Sequence, residues 1–156
     1  MTIYLVRHAK AGKRSEWHDE DSLRPLSTTG IKQAKLLAEE LKDFKIACLI
    51  SSPATRCVQT LQPLGKILKL EVQTDKRLFE HGDIADMLAI AEEVEDSAVL
   101  SSHGDMIPEL IKTLERRGMK IKSKPDWRKA SVWVVERTKS GFESAVAWPP
   151  PQIDED

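Results

Sequence analysis

Cysteine is scarce in this chain, long apolar runs are missing, and neither sign of charge is in excess. Only two cysteines occur in 156 residues, Cys48 and Cys57. Cys48 lies in the apolar run IACLI and Cys57 among helical core spacings, so both read as buried free thiols, not as a disulfide or a metal pair. A cysteine phosphatase is excluded on spacing, because its Cys and Arg must close a short, tight phosphate loop, and Cys48 and Arg56 are too far apart for one. No apolar run approaches the roughly 18 residues of a membrane span, and the N-terminus lacks a basic, apolar and small-residue signal pattern. The expectation is a cytoplasmic protein with no membrane partner. With 24 Lys+Arg against 25 Asp+Glu, the net charge of −1 gives no general attraction for nucleic acid, so any basic site must be local.

Internal repeats and linker-like shifts in composition are also missing. The 40% hydrophobic and 31% charged content belongs to an ordinary globular protein. A single domain is expected over residues 1–148, long enough to bury a full core. The end of the chain, WPPPQIDED, is proline-rich and then acidic, and residues 149–156 read as an extended, partly disordered tail.

What is present is an alternation of strand and helix patterns. Residues 2–7 and 46–51 read as buried strands. Between them a helix over about 27–44 is indicated by Ile31, Ala34, Leu37, Ala38 and Leu41 at helical spacing, with Ser27 as its N-cap. Ser52 and Pro53 suit the N-cap and first position of a second helix carrying Cys57, Leu61, Leu64 and Leu68. Pro63 is expected to kink or interrupt it. A strand near 71–74, a helix near 84–95 and a strand over 98–102 come next. The helix after them, over about 105–117, presents Ile107, Leu110, Ile111 and Leu114 on one side, with Pro108 harmless in its first turn. Residues 130–137 and 142–148 read as two strands joined at Lys139-Ser140-Gly141. The fold class is therefore α/β, a mostly parallel central sheet flanked by helices with an antiparallel strand pair near the C-terminus.

In such sheets, ligands bind beyond the carboxyl ends of the strands. Every conspicuous polar cluster falls there: Arg7 and His8 after the first strand, SSPATR after the second, FEHG after the third, and SHGD after the fourth. Arg7 and Arg56 offer forked donors matched to phosphate or carboxylate oxygens. Arg56 also sits in the first turn of a helix, whose free N–H groups and dipole favour an anion. A lone arginine is commonly a solvated charge, and a lone histidine a hydrogen-bonded structural residue. Four such residues at strand ends, Arg7, Arg56, His8 and His103, together read as a phosphate pocket. His8, beside Arg7, is the candidate nucleophile, since neighbouring cations keep an imidazole neutral near pH 7. His103 would donate to the phosphoryl oxygens as charge develops.

The stretch LVRHAKA resembles the RHG/RHA signature of the histidine phosphatase superfamily, which includes the phosphoglycerate mutases. SSPATRCVQTLQPL is similar to its second arginine segment, and LSSHGDMI to its second histidine segment. DSLRPLSTTGIKQAKLLAEEL resembles most closely the SixA-type phosphohistidine phosphatases, whose signature is an Asp followed by Arg-Pro-Leu, then Gly. TLQPL and the closing WPPP are also similar to the C-terminal domain of two-domain MutT-type Nudix hydrolases. Together these motifs span roughly residues 2–150. The resemblance implies a phosphoglycerate mutase-like fold, with His8 as phosphoryl acceptor and Arg7, Arg56 and His103 clamping the phosphoryl group. Ala9 stands where glycine is commonest. Glu80 falls where larger family members keep the carboxylate that protonates the leaving oxygen; an exposed loop glutamate is the other reading. Arg24 either reaches the substrate or braces the first loop. Ser102 and Gly104, flanking His103, and Lys10, in the loop after the nucleophile, complete the substrate-binding candidates. Lys13, Arg14 and Trp17 share that loop, either meeting the substrate or forming a solvated basic segment.

No metal and no cofactor is expected, since His18 followed by DED lacks a ligand set of convincing spacing. His81 reads as a loop residue, and Trp127, Trp133 and Trp148 as packing residues. The expected activity is that of a metal-independent phosphatase acting through a phosphohistidine intermediate, on a phosphorylated protein in the SixA manner. The alternatives are a phosphatase of nucleotides or other small phosphate compounds, and a non-catalytic phospho-ligand binding module. A mutase would need a more enclosed site, and a phosphorelay carrier would expose its histidine on a helix.

Overall fold

The computed structural model describes residues 1–153. The acidic end, for which disorder is expected, lies outside the described residues. Elements run in the order β1 (Thr2–Arg7), α1 (Thr28–Leu41), β2 (Cys48–Ser51), α2 (Thr55–Leu68), β3 (Val72–Thr74), α3 (Ile84–Glu93), β4 (Ala98–Ser102), α4 (Met106–Arg116), β5 (Lys120–Ile121), β6 (Val132–Thr138) and β7 (Gly141–Trp148). They build one seven-stranded sheet in the order β3-β2-β4-β1-β6-β7-β5. The strands β3, β2, β4 and β1 run parallel, and β6 pairs antiparallel with both β1 and β7.

Side chains along β1 alternate between two cores, as period two requires. Ile3 and Leu5 face one, with Met87 and Ile90 of α3, Leu110 and Ile111 of α4, and Trp133. Tyr4 and Val6 face the other, with Leu37 and Leu41 of α1 and Leu61 and Leu64 of α2. Two helices thus cover each face of the sheet, and both faces of β1 are dry. That is why its sequence is an unbroken apolar run and not an alternating one.

Most elements start where the residue pattern puts them. Ser27 caps α1, its Oγ accepting the Gly30 N–H at 3.1 Å. The second helix differs. It begins at Thr55 with Ala54 as N-cap, while the Ser52 hydroxyl meets His103 Nε2 at 2.8 Å and accepts the Ala54 N–H at 3.3 Å. It also runs uninterrupted through Pro63, with Leu61, Leu64 and Gly65 buried around that position. Packing on both sides outweighs the roughly 3 kcal/mol that an interior proline costs. Strand β5 has no counterpart in the sequence reading, since two residues are too few to display alternation. The strand expected from residue 130 begins at Val132, because Ala130 takes a left-handed φ of 66° in a bend. At the far end Pro151 is buried, so the proline run returns to the domain instead of leaving it. Both cysteines are free thiols, Cys57 buried and Cys48 half-buried.

Candidate active site

The parallel strands bring their carboxyl ends together, and the site is assembled from the residues just beyond those ends. Register fixes the arrangement: Arg7 of β1 lies opposite Ser102 of β4, and Ser51 of β2 opposite Ser101. The chain then leaves each strand in step, the His8 N–H reaching the Ser102 carbonyl at 3.1 Å and the Ser52 N–H the Ser101 carbonyl at 2.9 Å.

His8 is 6% exposed, and its Nδ1 lies 2.8 Å from the Ala9 carbonyl. A carbonyl can only accept, so Nδ1 carries the proton and Nε2 is left with a free lone pair. Burial, with the positive charges of Arg56 and Arg7 and the neighbouring His103, pushes the His8 pKa down to about 3, against the contrary pull of the Ala9 carbonyl. His8 is therefore a neutral base at physiological pH. Ala9, in turn, donates its N–H to Thr60 Oγ1 at 2.9 Å, and Thr60 donates to the Arg56 carbonyl at 2.7 Å. The nucleophile turn is thereby tied to the helix that carries Arg56.

Arg56 is 1% exposed. Its guanidinium meets the Asp21 carbonyl at 3.0 Å, the Asp21 carboxylate at 3.3 Å and the Glu80 carboxylate at 3.1 Å. Arg7 is fixed through Nη1 to the Trp127 carbonyl at 2.6 Å. Each of the two arginines also keeps a buried Nε–H without a partner among the described residues. Such orphaned donors cost about 1–3 kcal/mol each, which an accepting anion would offset. The His103 ring lies 5.6 Å from that of His8, centroid to centroid, with Nδ1 3.5 Å from Arg56 Nη2 and 3.7 Å from Glu80 Oε2. Burial and the Arg56 charge push its pKa down to about 4. Cys57 Sγ sits 3.5 Å from His103 Nε2, but burial pushes that thiol up to about 12, so no thiolate competes with His8.

His8, Arg7, Arg56, His103 and Glu80 are thus brought into one pocket. Glu80 faces the clamp, with 16% of its side chain exposed, and is not the free loop residue that was the other reading. The remaining candidates divide. Arg24 is 7% exposed and braces the loop, with Nε 3.0 Å from Asp21 Oδ1 and Nη1 donating to the Gly12 carbonyl at 2.6 Å. Ser102 turns away from the pocket, its hydroxyl donating to the Leu78 carbonyl at 2.7 Å and so anchoring the segment that leads to Glu80. Gly104 lies under Arg7, where a Cβ would stand 2.5 Å from Arg7 Cζ. It makes room for the guanidinium. Lys10 is exposed, two residues past His8.

Two contributors escaped the sequence reading. Asp21 binds Arg24, Arg56 and Arg14 at once, the last at 3.4 Å. Its place in the DSLRPLS motif was the available signal. The segment before β6 supplies the Trp127 carbonyl to Arg7 and has no signature of its own. Beyond Glu80 and Asp21 a shallow cleft of about 290 Å³ opens, walled also by Arg14, Trp17, Asp19 and His81. The three tryptophans expected to pack do so: Trp133 is buried against Trp127, and Trp148 lies against Tyr4 and Phe44. No group of three or more potential ligands could hold a metal among the described residues, and no helix there is long and apolar enough to cross a membrane.

An α/β sheet thus gathers two arginines and two histidines at its strand ends. The chain belongs to the histidine phosphatase superfamily (branch 1), whose family model matches residues 3–96. Phosphohistidine phosphatase SixA of Escherichia coli is 30% identical over 122 residues, covering 73% of this chain and 74% of that protein. A structure of the protein histidine phosphatase SixA complexed with tungstate superposes with a TM-score of 0.77 at 26% identity, covering 93% of this chain and 96% of that one. The 8-oxo-(d)GTP phosphatase of Mycolicibacterium smegmatis is 30% identical over 156 residues, 96% of this chain but 48% of that protein. The chain spans about half, or less, of the length of the first curated relatives it matches.

Proposed function

We propose that this chain is a metal-independent phosphatase in which His8 is the nucleophile. The observation that carries the reading is the neutral His8 imidazole, its Nδ1–H tied to the Ala9 carbonyl and its Nε2 free beside Arg7 and Arg56. Nε2 attacks phosphorus in line, the bond from phosphorus to the leaving group breaks, and a phosphohistidine forms; water then releases phosphate and restores His8. Arg7, Arg56 and His103 hold the phosphoryl oxygens. Glu80 is the acid for the leaving group and later the base for water. In the free site Glu80 is paired to Arg56 at 3.1 Å. An arriving dianion takes Arg56 over and leaves the Glu80 carboxyl facing the leaving group.

For the substrate, the first reading is a phosphohistidine protein. It is supported by the likeness to SixA over three quarters of both chains and by the open cleft beside Glu80, which a protein side chain could enter. The second is a nucleotide, supported by alignment of nearly the whole chain with the 8-oxo-(d)GTP phosphatase. His8→Ala should abolish turnover of an aryl phosphate and with it a base-stable, acid-labile phosphoenzyme seen after rapid quench. Normal turnover by that variant would refute the mechanism. A panel of phosphohistidine proteins and nucleotides then ranks the substrates by kcat/KM.

A further inference from the structure

Two lysines flank the end of β1, and the phosphate clamp uses neither. Lys10 lies two positions after the nucleophile, and its backbone is held from several sides. Its N–H donates to Gln33 Oε1 at 2.9 Å, and its carbonyl accepts the Ser27 N–H at 2.9 Å and hydroxyl at 3.1 Å. Gly30 passes so close that a Cβ there would lie 1.9 Å from the Lys10 carbonyl oxygen. On the other side Lys129 precedes Ala130, whose N–H reaches the carbonyls of Arg7 at 3.1 Å and His8 at 3.2 Å. The Lys10 backbone, two residues past His8, and Ala130, the residue after Lys129, are therefore held in place next to the nucleophile turn, while both lysines are exposed.

Neither lysine makes an ion pair among the described residues. The neighbouring carboxylates are committed elsewhere: Asp21 to Arg14, Arg24 and Arg56, Glu80 to Arg56, and Asp126 to Arg128. Partial burial and the positive charges of Arg7, Arg24, Lys10 and Arg14 hold the Lys129 ammonium below its ordinary range. Cations gathered in this way repel one another unless an anion is brought among them. A single phosphoryl group already has Arg7 and Arg56. The lysines are left over.

We propose that Lys10 and Lys129 form a second anion subsite beside the phosphate pocket, receiving a phosphate or carboxylate that the substrate carries next to the phosphoryl group transferred to His8. Lysine suits that task, being a compact point charge on a flexible stem that tracks an anion of variable orientation. The inference rests on the phosphatase reading. Two sources supply the same chemistry, the neighbouring phosphate of a nucleoside di- or triphosphate and an acidic side chain flanking a phosphohistidine.

The test compares inorganic phosphate with pyrophosphate as inhibitors of aryl phosphate turnover in wild type and in Lys10→Gln, Lys129→Gln and the double variant. A second arm compares kcat/KM on phosphohistidine peptides with and without flanking Asp residues. If the neighbouring group is a phosphate, pyrophosphate should bind about tenfold more tightly than phosphate in wild type. That ratio should fall toward one in the double variant and shrink with added salt. If it is a carboxylate, the lysine-dependent preference should appear in the peptide arm. Absence of a preference in both arms, or preferences that survive in the double variant, would overturn the subsite. The phosphatase reading stands or falls separately, on whether His8→Ala loses turnover.

Discussion

Replacing Gly104 with alanine should damage the site without unfolding the protein. A Cβ there would lie 2.5 Å from Arg7 Cζ, 2.6 Å from Nη2 and 2.7 Å from Nε. Non-bonded carbons rest at about 3.5–4.0 Å, so the guanidinium must retreat by about 1 Å. Arg7 is only half-buried and can swing outward, losing its bond to the Trp127 carbonyl. That bond contributes on the order of 1 kcal/mol, so the stability loss stays at the low end of the roughly 1–3 kcal/mol typical of overpacking. The effect on catalysis is larger, because misplacing one clamp residue by about 1 Å costs about 10²-fold in rate. The assay is kcat/KM on an aryl phosphate, with inhibition by vanadate as a readout of the phosphate pocket and thermal unfolding as a control. Gly12→Ala is the matched comparison, since a Cβ there meets only the Pro25 carbonyl oxygen, at 3.8 Å. It should be close to wild type in all three measurements. Gly104→Ala activity within about twofold of wild type would refute the idea that the glycine exists to admit Arg7, since a shift of that size predicts about 10²-fold.

Glu80→Gln keeps shape and hydrogen bonding but removes the transferable proton. It should depress turnover of alkyl phosphates by about 10²–10⁴-fold, and that of phosphohistidine or aryl phosphates far less, because those leaving groups need little protonation. Equal losses on all three would reduce Glu80 to a shaping role. The two buried imidazoles make stability depend on pH. With pKa values near 3 for His8 and 4 for His103, the native state binds fewer protons than the unfolded chain below the ordinary histidine value of about 6.5. Stability is therefore full above that value and is lost as pH falls. Between about pH 6.5 and 5 the slope approaches ~1.4 kcal/mol per pH unit for each histidine. Thermal unfolding across that window should show the decline and a shallower one in His103→Gln; a flat profile would contradict burial of neutral imidazoles. Activity should survive exhaustive chelation, while vanadate or tungstate inhibits. A loss on chelation that one added metal restores would count against phosphoryl stabilisation by arginine and histidine alone.

Features encoded by local spacing were legible in the sequence. The unbroken apolar run of residues 3–6 announced a strand buried on both faces. Ser27 and the spacing from Ala34 to Leu41 announced α1. The placement of His8, Arg56, Glu80 and His103 just after strands announced a shared pocket, because parallel strands must end together. What each of those residues touches is set by how the chain packs. Ser102 and Gly104 stand on either side of His103, where adjacency in sequence makes both candidates for substrate contact. Instead one hydroxyl reaches the Leu78 carbonyl, and the other position is vacated for Arg7. Arg24 has two readings in the sequence, and Asp21 with the Gly12 carbonyl holds it to the loop. Arg7 finds its carbonyl partner 120 residues away, at Trp127. Such contacts depend on β4 lying between β1 and β2, and on the bend before β6 closing over the end of β1. Strand order and loop closure are set by global packing, and a periodicity of two or 3.6 residues carries no record of them.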